Sequence, residues 1–334
     1  MTESFRTTLE SIPGLVPVEV NPRARGIAWG DIGSIELRQS FYDWGLRECH
    51  ESTGIKSITQ TPLKVLQEQD LIPDALAPSG FVFHMARCGS SLLAKALAHG
   101  QGNLVISEPE PLNQLLFFLT DNKLTQQIEE PDKLRMLRNM VLALGRKRGL
   151  DNSRYYLKFS SWNVLQAETI CNIFPQVPCL FLYRNPEEVM VSIAKGPTGF
   201  SQGKAHQIGV AMSGCDRASL DKMSQQQYVA AVLAQMARHA ISQPNMHFLD
   251  YSRIDAEHFP QVLELFGHQP DETSMQAMCE QFKYDSKQSQ GLSSFSQDTT
   301  SKQAAVTPAI QDACDEWLAA PIRAMRESTG NLVT

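Results

Sequence analysis

The chain has 334 residues, with 30 Lys+Arg against 36 Asp+Glu, a formal net charge of −6 and a 42% hydrophobic fraction. That length corresponds to about one or two domains and buries about three quarters of the unfolded surface, which excludes a disordered, collagenous or disulfide-scaffold chain. The acidic balance argues against a general nucleic-acid binder, which carries a basic surplus or a long basic stripe. No stretch reaches the ~18 apolar residues needed to span a bilayer. The opening MTESFRTTLESIPG has no basic region followed by an apolar run, so a cytoplasmic protein with no membrane partner is expected. The seven cysteines are scattered and form no CxxC pair, so reduced thiols are expected, with neither a metal site nor a disulfide framework.

Residues 1–78 read as a small N-terminal extension. GIAWGDIGSIEL alternates enough for a strand pair, and a short helix is expected over Tyr42–Glu51. LIPDALAPSG, residues 71–80, carries several turn-formers and reads as a linker. No catalytic constellation is visible before it.

Residues 79–334 change pattern. Short apolar runs at 81–85 (FVFHM), 104–107 (LVIS), 155–159 (YYLKF), 179–183 (CLFLY) and 246–251 (MHFLDY) fit buried parallel strands. Helices are expected between them over 90–99, 111–121, 131–148, 162–174, 186–194 and 224–242. Gly149 suits a helix C-cap, and Pro186 after Asn185 suits a helix start. Strands interleaved with helices predict an α/β domain with a parallel β-sheet flanked by helices. Residues 195–218, with five glycines, and 284–304, rich in Ser, Gln and Thr, read as long loops.

The chemistry starts where the first of these strands ends. FVFHM runs into Ala86-Arg87-Cys88-Gly89-Ser90-Ser91 and then a helix, LLAKALAHG. A strand, a tight loop of small residues and a helix make an anion cradle, because loop N–H groups and the helix N-terminus point at one place. The loop lacks the Lys of the nucleotide-triphosphate pattern GxxxxGK[ST], which speaks against an NTPase. A second element, CLFLYRNPEEVMVSI, puts Arg184 at a strand end and Ser192 two helical turns on. Arg184 can pair an anion bidentately, or it can pair with Glu187 or Glu188 at the helix start.

Together the two elements resemble the sulfotransferase superfamily. RCGSSLL, residues 87–93, is similar to that family's 5′-phosphosulfate loop, and Arg184 to Ser192 is similar to its 3′-phosphate motif, R-[ND]-P-x-[DE]-V-x-x-S. HMARCGSSLL followed by SEPEPLNQLL looks closest to a bacterial branch. The resemblance covers about residues 79–310. It implies a P-loop-like sheet and 3′-phosphoadenylyl sulfate (PAPS) as sulfonate donor, with no metal. It implies that Arg87, Cys88, Gly89, Ser90, Ser91 and Leu92 form the donor loop and that Arg184 and Ser192 hold the 3′-phosphate. Tyr251 and Trp162 are aromatic candidates near the adenine, and Lys287 and Lys302 flank a late loop that would close over the donor. Arg87 and Lys158 would stabilise charge on the bridging oxygen.

The acceptor, a small molecule or conjugate with a hydroxyl or amine, needs a general base. The His that many cytosolic members carry two residues after the strand-end Lys is here Ser160. Glu108, in SEPEP at the carboxyl end of a strand, takes its place as the expected base, with Glu110 as the alternate. His84 is expected to be a packed strand residue, Cys88 a small spacer, and His206 a weaker base. Two other readings stay open: a non-catalytic nucleotide-binding homologue, and a small-molecule kinase, although a Walker Lys and a Mg²⁺ carboxylate pair are not evident. The eight Lys/Arg of residues 131–158, against two Asp, read as an amphipathic helix with a cationic end.

Overall fold

The computed structural model describes residues 2–52, 54–72, 74–284 and 299–332. Two sheets are present. Strands β1 (Leu15–Asn21), β2 (Gly26–Asp31) and β3 (Ile58–Pro62) form an antiparallel sheet in that order. Strands β4 (Gly80–His84), β5 (Asn103–Ser107), β6 (Arg154–Lys158), β7 (Cys179–Tyr183) and β8 (Met246–Asp250) form a parallel sheet in the order β5-β6-β4-β7-β8. The protein is therefore α/β, with a five-stranded parallel sheet flanked by helices.

Every residue of β4 and β7 is buried, as continuous apolar runs require when both faces are covered. Phe83 stacks on Phe159 at 4.4 Å between ring centroids, and Phe81 meets Phe159 and Phe174 edge-on. Each buried Phe contributes about 1.5–3 kcal/mol of apolar transfer.

The strand order fixes where a ligand can sit. From β4 the chain crosses to the edge strand β5, whereas from β6 it crosses back over β4 to β7. Right-handed crossovers put those connections on opposite faces. Accordingly the Ser90–Ala98 helix packs with Glu272–Glu280, and the 161–166 turn packs with Gln225–Ile241. The carboxyl ends of β4 and β6, neighbours whose connections leave on opposite faces, mark a topological switch point of the sheet, where ligands of open α/β sheets bind.

Strand β1 of the antiparallel sheet packs on the Glu110–Thr120 helix that follows β5. The Val20 amide donates to Gln114 Oε1 at 2.7 Å. Arg146, almost fully buried, donates to the carbonyls of Leu9 and Leu15 at 2.7 and 2.8 Å and to Asp74 at 2.7 Å.

Strand positions agree with the expectations to within a residue, and Tyr251 falls just after β8, in a short turn. Five details differ. GIAWGDIGSIEL supplies one strand, β2, and its partners come from residues 15–21 and 58–62. The helix expected over 131–148 runs only from Glu130 to Leu144. Gly145 is its C-cap, at a place where a Cβ would lie 2.6 Å from the Tyr155 ring; Gly149 is not the cap, and Arg146 and Arg148 lie beyond the helix. Residues 162–174 begin as a 3-10 turn, Ser161–Gln166, before Ala167–Ile173 turns α-helical. Residues 195–218 are not one loop: they hold the short helices Phe200–Ala205, Gln207–Ser213 and Arg217–Lys222. Tyr228 hydroxyl anchors the Phe200 carbonyl at 2.8 Å, and Asp216 caps the last of them by accepting the Ser219 amide. In the second expected loop, residues 285–298 and with them Lys287 lie outside the described residues, and Thr299–Gln303 is helical.

Candidate functional site

The loop after β4 takes an uncommon backbone path. Ala86, Arg87 and Gly89 have φ of 70°, 52° and 81°. Two non-glycine residues in the left-handed region cost about 1–2 kcal/mol each, and such strain persists only where neighbours over-determine it. His84 is one such neighbour. Its Nδ1 accepts the Ala86 amide at 3.1 Å, so the neutral ring carries its proton on Nε2, which donates to the Phe159 carbonyl at 3.0 Å. Burial lowers the His84 pKa, which keeps the ring neutral. The packed His84 that the sequence leads one to expect thus also shapes the loop.

The turn leaves the amides of Arg87, Cys88, Gly89, Ser90 and Ser91 without a backbone acceptor among the described residues. The last of them open the Ser90–Ala98 helix, where the partial positive charge of the helix N-terminus adds to them. Gly89 is required twice over: its φ is left-handed, and a Cβ would come within 2.8 Å of the Tyr251 ring. Cys88 is buried, its thiol is pushed up to about 12 by burial, and it donates to the Leu182 carbonyl. Leu92 belongs to the core, whereas Ser90 is buried at the helix start and Ser91 half-buried.

Parallel pairing of Ser107 with Lys158 brings Glu108 to the end of β6. There the Lys158 ammonium donates to Glu108 Oε1, and His84 Nε2 lies 3.5 Å from the same oxygen. Lys158 is 1% exposed and Glu108 21%. Burial pushes the Glu108 carboxyl up, but the Lys158 charge and the His84 and Lys158 hydrogen bonds outweigh it and hold the group at about 2. The Phe41 ring, from the N-terminal region, covers Lys158 with its centroid 5.2 Å from Nζ.

Across the loop, Arg184 is buried. Its Nε donates to Glu188 Oε2 at 2.6 Å, and its guanidinium lies 3.9 Å from the centre of the Tyr251 ring. Tyr251 is the ring that closes on Gly89, so Gly89, Arg184 and Tyr251 converge. Asn185 caps the Pro186–Lys195 helix by accepting the Glu187 and Glu188 amides. Half-buried Ser192 lies on that helix, whose end is tied to the loop where Arg87 Nη2 donates to the Gly196 carbonyl at 2.7 Å. Arg87 Nε is buried without a partner among the described residues. The Lys302 helix, Thr299–Gln303, packs on the same Pro186–Lys195 helix, and Gln303 reaches Glu188 Oε1 at 3.4 Å.

Other expected residues lie further off. Ser160 is a helix cap, its amide donating to Asn163 Oδ1 at 2.8 Å and its Oγ accepting from Asn113. Trp162 lines a separate cleft of about 260 Å³ with Asn113, Phe117 and Met212. His206 is exposed ahead of the Gln207–Ser213 helix. Glu110 accepts from Asn113 Nδ2 at 3.2 Å. Beside Glu110 the structure places Asp43, which no motif singles out. Burial, then the Glu110 charge, raises the Asp43 carboxyl to about 6. Phe41 and Asp43 come from a stretch of sequence that carries no motif, and only the fold brings them here. Among the described residues no group of three or more His, Cys, Asp or Glu is arranged to hold a metal, and no helix is long and apolar enough to cross a membrane.

No family model matches the chain, and no curated protein matches it. Solved structures similar in layout include a sulfotransferase from Alicyclobacillus acidocaldarius, 12% identical, with a TM-score of 0.41 over 75% of this chain and 95% of that one. A sulfotransferase domain from the curacin biosynthetic pathway is 11% identical, with a TM-score of 0.39 over 72% of this chain and 98% of that one. A sulfotransferase from Mycobacterium avium is 12% identical, with a TM-score of 0.37 over 76% of this chain and 80% of that one.

Proposed function

We propose that the protein is a cytoplasmic, metal-independent sulfotransferase that takes its sulfonate from PAPS. The observation that carries the proposal is the strained Met85–Ser91 turn, with five amides that have no backbone acceptor among the described residues and Gly89, Arg184 and Tyr251 gathered beside it. In this account the amides, with Ser90 and Ser91, hold the 5′-phosphosulfate. Arg184 and Ser192 hold the 3′-phosphate, Tyr251 flanks the adenine, and Lys302 approaches from the late helix. A small-molecule hydroxyl or amine attacks sulfur, its new bond to sulfur forms as the bond from sulfur to the phosphate oxygen breaks, and 3′-phosphoadenosine 5′-phosphate (PAP) leaves with the electron pair. Arg87 and Lys158 stabilise the charge growing on that oxygen.

The acceptor proton goes to a carboxylate. A base held at about 2 is poorly matched to neutral pH, so Glu108 serves only when Lys158 turns to the developing charge and releases it. Asp43, at about 6 beside Glu110, is better matched before any rearrangement. The Glu108–Lys158 pair and the capping use of Ser160 favour one second reading, a nucleotide-binding homologue without turnover.

Thermal shifts with PAP and with ATP–Mg²⁺ test the proposal. Ligand at about a hundred times Kd adds ~2.7 kcal/mol. For a chain of this length that is about 4 °C, at ~2.1 cal/mol/K of unfolding entropy per residue. Stabilisation by ATP–Mg²⁺ and not by PAP would overturn it. Binding of PAP with no release of sulfonate from PAPS to any of a panel of phenols, alcohols and amines would select the second reading.

A further inference from the structure

The seven cysteines are scattered in sequence and form no CxxC pair, yet the fold brings two of them together. Cys171 sits in the Ala167–Ile173 helix, and Cys179 opens β7. Their sulfurs lie 3.3 Å apart, both as free thiols. The connection between them is anchored along its length. The Phe174 amide donates to the Ile170 carbonyl at 3.2 Å, the Val177 amide donates to the Phe174 carbonyl at 3.0 Å, and the Phe174 ring meets Phe81 edge-on. Cys179 itself is held in the sheet between Phe81 of β4 and Met246 of β8. The helix and the strand thus hold the two thiols against each other, with about 1.3 Å left to the ~2.05 Å at which sulfurs bond.

The two thiols are not equivalent. Cys171 is half-buried, whereas Cys179 is 1% exposed, so a dissolved oxidant meets Cys171 first. The Cys179 S–H, donated to Cys171, holds the Cys171 thiol below its ordinary value against its burial. The same hydrogen bond and its own burial push the Cys179 thiol up. The more accessible sulfur is therefore also the better nucleophile, and the buried one stands behind it. Cys215 and Cys279, the other half-buried thiols, lie against the Ser213 carbonyl and the Met275 sulfur.

We propose that Cys171 and Cys179 are a redox-responsive pair that closes into a disulfide when the protein meets a peroxide. The Cys171 thiolate attacks one peroxide oxygen, the O–O bond breaks, and the leaving hydroxide takes the proton that Cys171 gave up to become water. Cys171 is then a sulfenic acid. The Cys179 sulfur attacks the Cys171 sulfur, the S–S bond forms as the S–O bond breaks, and the hydroxide leaves as water with the Cys179 proton. The two thiols lose two electrons in all, and one peroxide becomes two waters. The bond clips the helix to β7 across residues 172–178 and spares Cys171 the irreversible sulfinic step. In a reducing compartment the pair rests as thiols, and exchange with a reducing thiol reopens it. Arg184 follows the far end of β7; five residues at ~3.3 Å put about 16 Å between it and Cys179, so the clip forms away from the carboxyl edge.

Treatment of the full chain with a small molar excess of hydrogen peroxide, then alkylation and peptide mapping, tests this. The wild type should yield a Cys171–Cys179 linkage that dithiothreitol reverses to two free thiols. Before oxidation, alkylation should label Cys171 at least about tenfold faster than Cys179. Cys179→Ala removes the resolving thiol, so Cys171 should stop as a sulfenic acid that dimedone captures. In Cys171→Ser, Cys179 should be oxidised at least about tenfold more slowly than Cys171 is in the wild type. Cys179→Ala alters a buried strand residue; if that variant fails to fold, the wild-type map and Cys171→Ser decide. No linkage between Cys171 and Cys179, or a Cys179 that is labelled or oxidised as fast as Cys171, would overturn the proposal.

Discussion

Replacing Glu108 with Gln tests the best-defined electrostatic contact of the carboxyl edge. The carboxyl sits at about 2 instead of 4.5, a depression worth about 3 kcal/mol at ~1.36 kcal/mol per unit. Glu108→Gln also strands a Lys158 that is 1% exposed, and breaking a buried pair from one side costs about 3–5 kcal/mol. The expected loss is therefore about 3 kcal/mol, or about 4 °C in Tm for a chain of this length. Lys158→Met should cost less, because the Glu108 side chain left behind keeps 21% of its surface in water. The double variant should lose less than the sum, with a coupling of about 2 kcal/mol from urea unfolding. The pH dependence has a fixed sign. A depressed carboxyl contributes stability that is present above about 4.5 and lost as pH falls toward 2, so the wild type should lose it there and Glu108→Gln should not. Additive single losses, or parallel acid profiles for the wild type and Glu108→Gln, would refute the pair.

Asp43 behaves oppositely: its raised carboxyl makes the fold lose stability as pH climbs from 3.8 through about 6, and Asp43→Asn should remove that slope from a set of melts. If Asp43 is the proton acceptor, kcat should rise through an apparent pKa near 6 and flatten in Asp43→Asn; an unchanged profile would return the role to Glu108. His84→Phe removes the acceptor for the Ala86 amide, so PAP affinity should fall at least tenfold with Tm lowered by only a few degrees, and unaltered affinity would show that the loop holds its shape without it. Phe41→Ala should lower turnover more than PAP affinity, because Phe41 lies over Lys158; equal losses in both would contradict that placement.

The strands and the loop after β4 are legible because their signals are local: apolar runs bounded by turn-formers, then small residues opening a helix. Arg184 and Tyr251 are legible as candidates, but the cation–π stack that joins them depends on β7 and β8 lying side by side, which no local pattern states. Glu108 stands out by position, whereas its partnership with Lys158 follows from the register of β5 on β6. The N-terminal residues are the least legible. β2 takes partners from both directions along the chain, and Phe41 and Asp43 gain their importance only from the elements they land on. The basic stretch 131–158 misleads for a physical reason. The helix ends at Gly145, and Arg146 and Arg148 then turn inward to carbonyl acceptors instead of forming a cationic helix end.

Calorimetric titration of PAP into the wild type and Gly89→Ala tests the donor cradle most directly. The wild type should bind one equivalent. Gly89→Ala, whose new Cβ has no room beside Tyr251 and whose φ of 81° it disfavours, should lose that binding while its circular dichroism stays native. No binding to the wild type, or equal binding to a folded Gly89→Ala, would contradict the assignment of the Met85–Ser91 turn as the donor site.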